Sequence, residues 1–130
     1  MATLIRRGRI ASPSQPEAGE VLRLEPGDDP ARVADRLGSA ARVEVNFPSF
    51  TDGRGYSIAR LLRERHGYQG ELRAVGDVQR DQLFYLARCG FDAFLLREGL
   101  DAQESLSALR DFSEAYQASV ERPEPLFRRR

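Results

Sequence analysis

The feature that most constrains this chain is a repeated alternation of short apolar strands with helix-length segments. Strand candidates start at residues 21, 43, 71 and 93, so the successive starts lie 22, 28 and 22 residues apart. The first is Val21-Leu22-Arg23-Leu24, and the second, residues 42–47 with its start counted from its first apolar residue Val43, is rich in β-branched side chains and closed by Pro48. The third, residues 71–75, is stopped by Gly76, and the fourth is Ala93-Phe94-Leu95-Leu96. Strands separated by connections of this length pair in parallel through right-handed crossovers. An α/β class follows, with four consecutive strand–helix units on a parallel sheet.

The intervening segments carry helical spacing and helix punctuation. Asp29 before Pro30 predicts a helix start, because the carboxylate caps free N–H groups and proline suits the first turn. Val33, Ala34 and Leu37 form its apolar stripe, and Gly38 is expected to end it. Ile58, Leu61 and Leu62 mark a second helix finishing at His66-Gly67, and Leu83, Leu86 and Ala87 a third that runs to Cys89-Gly90. Asp101 with Glu104 three residues on reads as a capping box, and Leu106, Leu109, Phe112 and Tyr116 give the buried face of the last helix. Two architectures satisfy this pattern: an open doubly wound sheet, or a half-barrel whose open edge must be covered or paired. Residues 1–20 read as a short hairpin or arm around Gly8, residues 21–120 as the α/β domain, and residues 121–130 as a solvated tail.

Composition narrows the chemistry. At 130 residues the chain is long enough for one core without staples. Its 20 cations, all arginine, balance 20 acids, which removes the basic surplus of a nucleic-acid binder. Without lysine there is no Schiff base and no phosphate-loop lysine. One cysteine, Cys89, makes no internal disulfide and, with the lone His66, falls short of a structural zinc site, so no metal and no cofactor is expected. The longest uncharged apolar stretch, residues 93–96, is far below the roughly 20 residues of a membrane span. The opening residues do not read as a secretory signal, and an unpaired thiol suits a reducing cytoplasm, so a cytoplasmic location is expected.

Ligands of parallel α/β sheets sit beyond the carboxyl ends of the strands. That rule selects residues 46–57, 76–82 and 97–99. In the first segment Gly53 and Gly55 flank Arg54, and Gly55, Tyr56 and Ser57 stand where a helix begins. A guanidinium fork with N–H groups at a helix start is an expected cradle for sulfate, sulfite, phosphate or carboxylate. The structural alternative is that Asp52 caps the helix and Arg54 pairs with Asp77 or Asp81. In the second segment Asp77 reads either as an N-cap or, with Arg80, Asp81 and Gln82, as part of a rim site that Asn46 also supports. Asp52 facing Asp77 would make a general base or a cation pair. His66 is expected at the opposite pole, and Cys89 as a small buried residue rather than a nucleophile.

Several motifs together carry a family resemblance. Residues 47–57, the run Gly67-Tyr68-Gln69-Gly70-Glu71-Leu72-Arg73-Ala74, then Gly76-Asp77-Val78, Asp81-Gln82 and Arg88-Cys89-Gly90-Phe91-Asp92 resemble the bacterial family known as domain of unknown function 934. Gln79 stands where that family often has an apolar residue. The family is commonly labelled an oxidoreductase of sulfite reduction, so the resemblance implies a place in sulfur assimilation and sets no catalytic residues. One cysteine is too few for a siroheme-linked iron–sulfur cluster, and Gly53-Arg54-Gly55 lacks the third glycine of a nicotinamide fingerprint. The expectation is an accessory protein that binds a small oxyanion, or a partner such as sulfite reductase or another sulfur-assimilation enzyme. The alternatives are a barrel-like enzyme acting on a sulfur or carboxylate metabolite with an aspartate base, and a structural interaction module whose sheet edge pairs with another chain. A homodimer fits the half-barrel form.

Overall fold

Alternation of side chains builds one continuous sheet whose two faces differ in kind. The computed structural model describes residues 3–11, 19–49, 53–97 and 99–115, excepting the side chains of residue 108 and of residues 110–115. The strands are β1 (Thr3–Arg6), β2 (Arg9–Ala11), β3 (Glu20–Leu24), β4 (Ala40–Phe47), β5 (Glu71–Gly76) and β6 (Ala93–Leu96). They form a six-stranded sheet in the order β2-β1-β6-β5-β4-β3. The pairs β3/β4, β4/β5 and β5/β6 are parallel, as the spacing predicts, and β1 joins β6 antiparallel.

Between these two architectures, the strand order decides. Four parallel strands that neighbour one another in chain order wind in a single direction, and right-handed crossovers then place every helix on the same face. The apolar contacts agree. Leu22, Val43, Val45, Leu72, Ala74 and Phe94 from the strands share one buried cluster with Val33, Ile58, Leu62, Leu86 and Leu106 from the helical segments. The sheet is therefore wound like part of a βα barrel, yet it stays open. Of its two ends, the β6 side is continued by the N-terminal hairpin.

That hairpin turns through Arg7 and Gly8, at φ 51° and 80°. Positive φ at both central residues matches the right-handed twist of the flanking strands. Arg7 is held in this strained conformation by two bonds to Asp92: its N–H donates to the Asp92 carbonyl at 2.9 Å and its Nε to Oδ2 at 3.3 Å.

The face away from the helices carries a charged lattice across β3, β4 and β5. Register sets Arg23 opposite Glu44, Glu44 opposite Arg73, and Arg42 opposite Glu71. Opposite charges in facing positions stabilise one register, because a slip of one residue would turn these groups into the apolar layer. Within the lattice Arg42 Nε lies 2.8 Å from Glu44 and Arg73 Nη2 lies 2.6 Å from Glu71.

The helices are α1 (Arg54–Arg60), α2 (Leu83–Cys89) and α3 (Ala102–Ala115). Asp101 Oδ1 accepts the Glu104 N–H at 3.0 Å, as its capping role predicts. The segment after Asp29 departs from expectation. It is a 3-10 helix over Pro30–Ser39, one residue beyond Gly38, with Val33 and Leu37 buried and Asp29 Oδ1 accepting the Ala31 N–H at 3.0 Å. The reason is reach. At about 2.0 Å rise per residue a 3-10 helix covers more length than an α-helix of the same residue count. This one must return the chain to the start of the eight-residue β4, which begins at the very next residue.

The mirror of the rim, the amino pole of the sheet, is organised by Arg63. After α1 the chain passes through one π-helical turn, Leu61–Arg65. There Arg63 Nε donates to the Gly90 carbonyl at 2.9 Å, and Nη1 to the carbonyls of Tyr68 at 2.9 Å and Gly70 at 2.8 Å. Its guanidinium also stacks over the Tyr68 ring. Asp92 Oδ1 accepts the Leu72 N–H at 2.8 Å and lies 3.7 Å from Arg63. Burial pushes the Tyr68 phenol up to about 12.

A candidate functional site at the carboxyl rim

Parallel strands wound in one direction finish along a single rim, and each contributes a polar side chain there. Glu25 directly follows β3, Asn46 is the penultimate residue of β4, Asp77 directly follows β5, and Arg97 directly follows β6. These groups join in two bonded pairs across the strand ends. Asn46 Nδ2 donates to Glu25 Oε1 at 2.8 Å, and Arg97 Nη1 donates to Asp77 Oδ1 at 3.0 Å. The pairs meet at Gly76, whose φ is +93° and whose missing Cβ would fall 2.4 Å from the Phe47 carbonyl oxygen and 2.5 Å from Asn46 Oδ1. Only glycine permits that approach. It lets the Asp77 N–H donate to the Phe47 carbonyl at 2.7 Å, extending the ladder one residue past β5.

Asp77 is not an N-cap. The cap of the following turn is Gln79, whose N–H donates to Gln82 Oε1 at 3.2 Å. Asp77 Oδ1 instead receives Gln79 Nε2 at 2.7 Å as well as Arg97. The carboxylate is thus held as the counter-ion of Arg97. Asn46 acts on Glu25: its hydrogen bond, with that of Arg23, holds the Glu25 carboxyl below the usual carboxylate range. A depressed folded pKa contributes stability above the unfolded value, and that contribution is lost as pH falls through the folded value. Asn46→Ala is expected to move the Glu25 midpoint back up toward the ordinary value in a carboxyl NMR titration. An unmoved midpoint would show that the bond is not populated in solution.

The helix-start segment is built differently from the expected cradle. Gly55 is buried inside α1, and a Cβ there would fall 2.5 Å from Phe47 Cζ. Its lack of a side chain serves close packing of helix on strand. The Tyr56 N–H is taken by the Gly53 carbonyl at 3.2 Å, so it is not a donor for an anion. The Tyr56 ring packs between Phe47 and Tyr85, and its hydroxyl receives Gln82 Nε2 at 3.2 Å. Burial raises the phenol above its ordinary value, which keeps it protonated. Arg54 and Ser57 are exposed on α1.

The remaining residues singled out in the sequence divide. Arg80 turns to Glu104 on α3 and lies 3.8 Å from Asp81, whose side chain is exposed. Asp52 lies outside the described residues, so the Asp52–Asp77 pair does too. Among the described residues no three His, Cys, Asp or Glu side chains gather to hold a metal ion. His66 follows the helical turn that leads into β5 and belongs to the amino pole. Cys89 is buried at the end of α2, and burial pushes its thiol up, against the pull of Arg60. A thiol kept protonated is a poor nucleophile.

Sequence reasoning chose the rim and missed two of its members. Glu25 falls outside the three segments that the strand-end rule selects, and Arg97 falls within the third with no partner named. Their signal is positional: each directly follows a strand, where the parallel topology gathers side chains.

The family profile of DUF934, bacterial proteins of unknown function, matches residues 21–127. The chain belongs to this family. No curated protein matches it. The matched span contains all four rim residues of this DUF934 protein and its amino-pole cluster, and it begins after the β1–β2 hairpin. The motifs divide between two structural tasks. The run from Gly67 to Gly70 and the run from Arg88 to Asp92 supply the carbonyls and carboxylate gathered around Arg63. Gly76 and Asp77 build the rim. Among the described residues, no helix is long and apolar enough to cross a membrane.

Proposed function

We propose that this protein is an accessory factor of assimilatory sulfite reduction that holds a small oxyanion at the carboxyl rim of its sheet. The observation that carries the reading is the line of strand-end polar groups, in which a half-exposed arginine, Arg97, stands on a carboxylate fixed in place. A guanidinium at such a position offers several N–H donors in a fork that suits the oxygen spacing of sulfite or sulfate. The rim also lies where open α/β sheets take their ligands. An accessory role fits the chemistry better than sulfite reduction itself, because a single buried thiol supplies no cluster ligands. Such a factor would deliver or retain the anion beside a reductase, its partner in this reading.

Growth tests the pathway. A deletion strain is expected to fail on sulfate as its sole sulfur source and to be rescued by the intact gene but poorly by Arg97→Gln. Normal growth of the deletion strain on sulfate overturns the assignment.

A further inference from the structure

We propose that Arg97 is the anion-binding residue of the rim and that Asp77 is its built-in competitor, so that an oxyanion enters by exchange with the Asp77 carboxylate. This rests on the oxyanion reading above and names the residue and the manner of entry. Three observations carry it.

The two partners differ in how firmly they are held. Asp77 follows a glycine pinched against the Phe47 carbonyl and Asn46, its N–H is bonded to Phe47 at 2.7 Å, and its Oδ1 is held by Gln79 Nε2 at 2.7 Å. It keeps its place when Arg97 leaves. Arg97 stands one residue past β6, and among the described residues its bonded partner is Asp77. It is the moving member.

Exposure differs in the same direction. The Arg97 side chain is 52% exposed and that of Asp77 24%. The cation therefore presents N–H groups to solvent while its counter-ion is partly withdrawn.

The energetic balance suits exchange. A half-exposed ion pair is worth at most about 1 kcal/mol. An incoming oxyanion that accepts a two-pronged bond from the same guanidinium recovers that and more. With no anion present the two charges of the pair offset each other, and with one present Arg97 turns outward.

The test is isothermal titration of sulfite and, separately, sulfate into the full chain and its variants, with chloride as control. Arg97→Gln is expected to weaken oxyanion binding at least tenfold. Asp77→Asn keeps a polar group beside Gln79 but removes the competing charge, and is expected to tighten binding about fivefold, the factor that a 1 kcal/mol pair represents. Thermal melts establish that both variants are folded. If the wild-type protein binds and Asp77→Asn binds no tighter, the exchange is overturned while the oxyanion reading stands. If Arg54→Ala abolishes binding and Arg97→Gln does not, the anion sits on the helix-start loop and the assignment of Arg97 falls. If folded wild-type protein takes up neither anion, the oxyanion reading itself fails and the exchange with it.

Discussion

Arg63→Met is expected to cost about 3–5 kcal/mol of unfolding free energy, the range seen when one partner of a buried charge network is removed. A single domain has about 5–15 kcal/mol in all, so the variant should unfold at a clearly lower urea concentration than the wild type. The reason is an inventory of acceptors. Arg63 supplies N–H donors to the carbonyls of Gly90, Tyr68 and Gly70, three groups at the ends of two different connections. Methionine fills similar volume but leaves all three without that donor, and each buried unsatisfied acceptor costs about 1–3 kcal/mol. Burial lowers the Arg63 pKa, opposed chiefly by Asp92, so the cation is retained through its partners rather than through solvent. Arg63→Lys should recover only part of the loss, because an ammonium cannot reach three carbonyls in the fixed directions of a guanidinium. Equilibrium urea denaturation decides the matter. A loss below about 1 kcal/mol in the methionine variant would show that water replaces the arginine at those carbonyls.

The second large effect is expected at the opposite pole. Gly76→Ala places a Cβ 2.4 Å from the Phe47 carbonyl oxygen and 2.5 Å from Asn46 Oδ1, at a φ of +93°. Backbone strain of about 1–3 kcal/mol adds to an overpacking cost of similar size. A net loss of about 3 kcal/mol is expected. The change also reads out locally. The ladder bond from the Asp77 N–H to the Phe47 carbonyl must lengthen, so that amide should exchange with solvent faster relative to amides in the middle of β4. Equal protection in variant and wild type, with unchanged stability, would show that the close approach is not present in solution.

The fold was legible where local pattern and topology point the same way. Four strand–helix units, the caps at Asp29 and Asp101, and the burial of Cys89 all follow from neighbouring residues. What escaped the sequence is long-range. Nothing in Thr3–Arg6 announces that it pairs with Ala93–Leu96, because register between segments so far apart is set by the whole sheet. The direction of winding is likewise a property of strand order and cannot be read from any one connection. Arg63 is a sharper case. It stands among Arg60 and Arg65 on one helical stretch, and by residue type all three resemble a solvated face; only the carbonyls brought round by the glycines at 70 and 90 single it out. The rim shows a middle case. Its position was predictable from the parallel class, and its pairings, Asn46 with Glu25 and Asp77 with Arg97, required the register of adjacent strands.

The N-terminal hairpin shows that the folding unit is larger than the stretch by which its relatives are known. The family match starts at residue 21, yet Ile5 is fully buried in the main cluster and β1 covers the flank of β6. A shortened chain starting at the family boundary would bare a run of backbone donors and acceptors along Ala93–Leu96, beside Phe94 and Leu96, an invitation to intermolecular strand pairing.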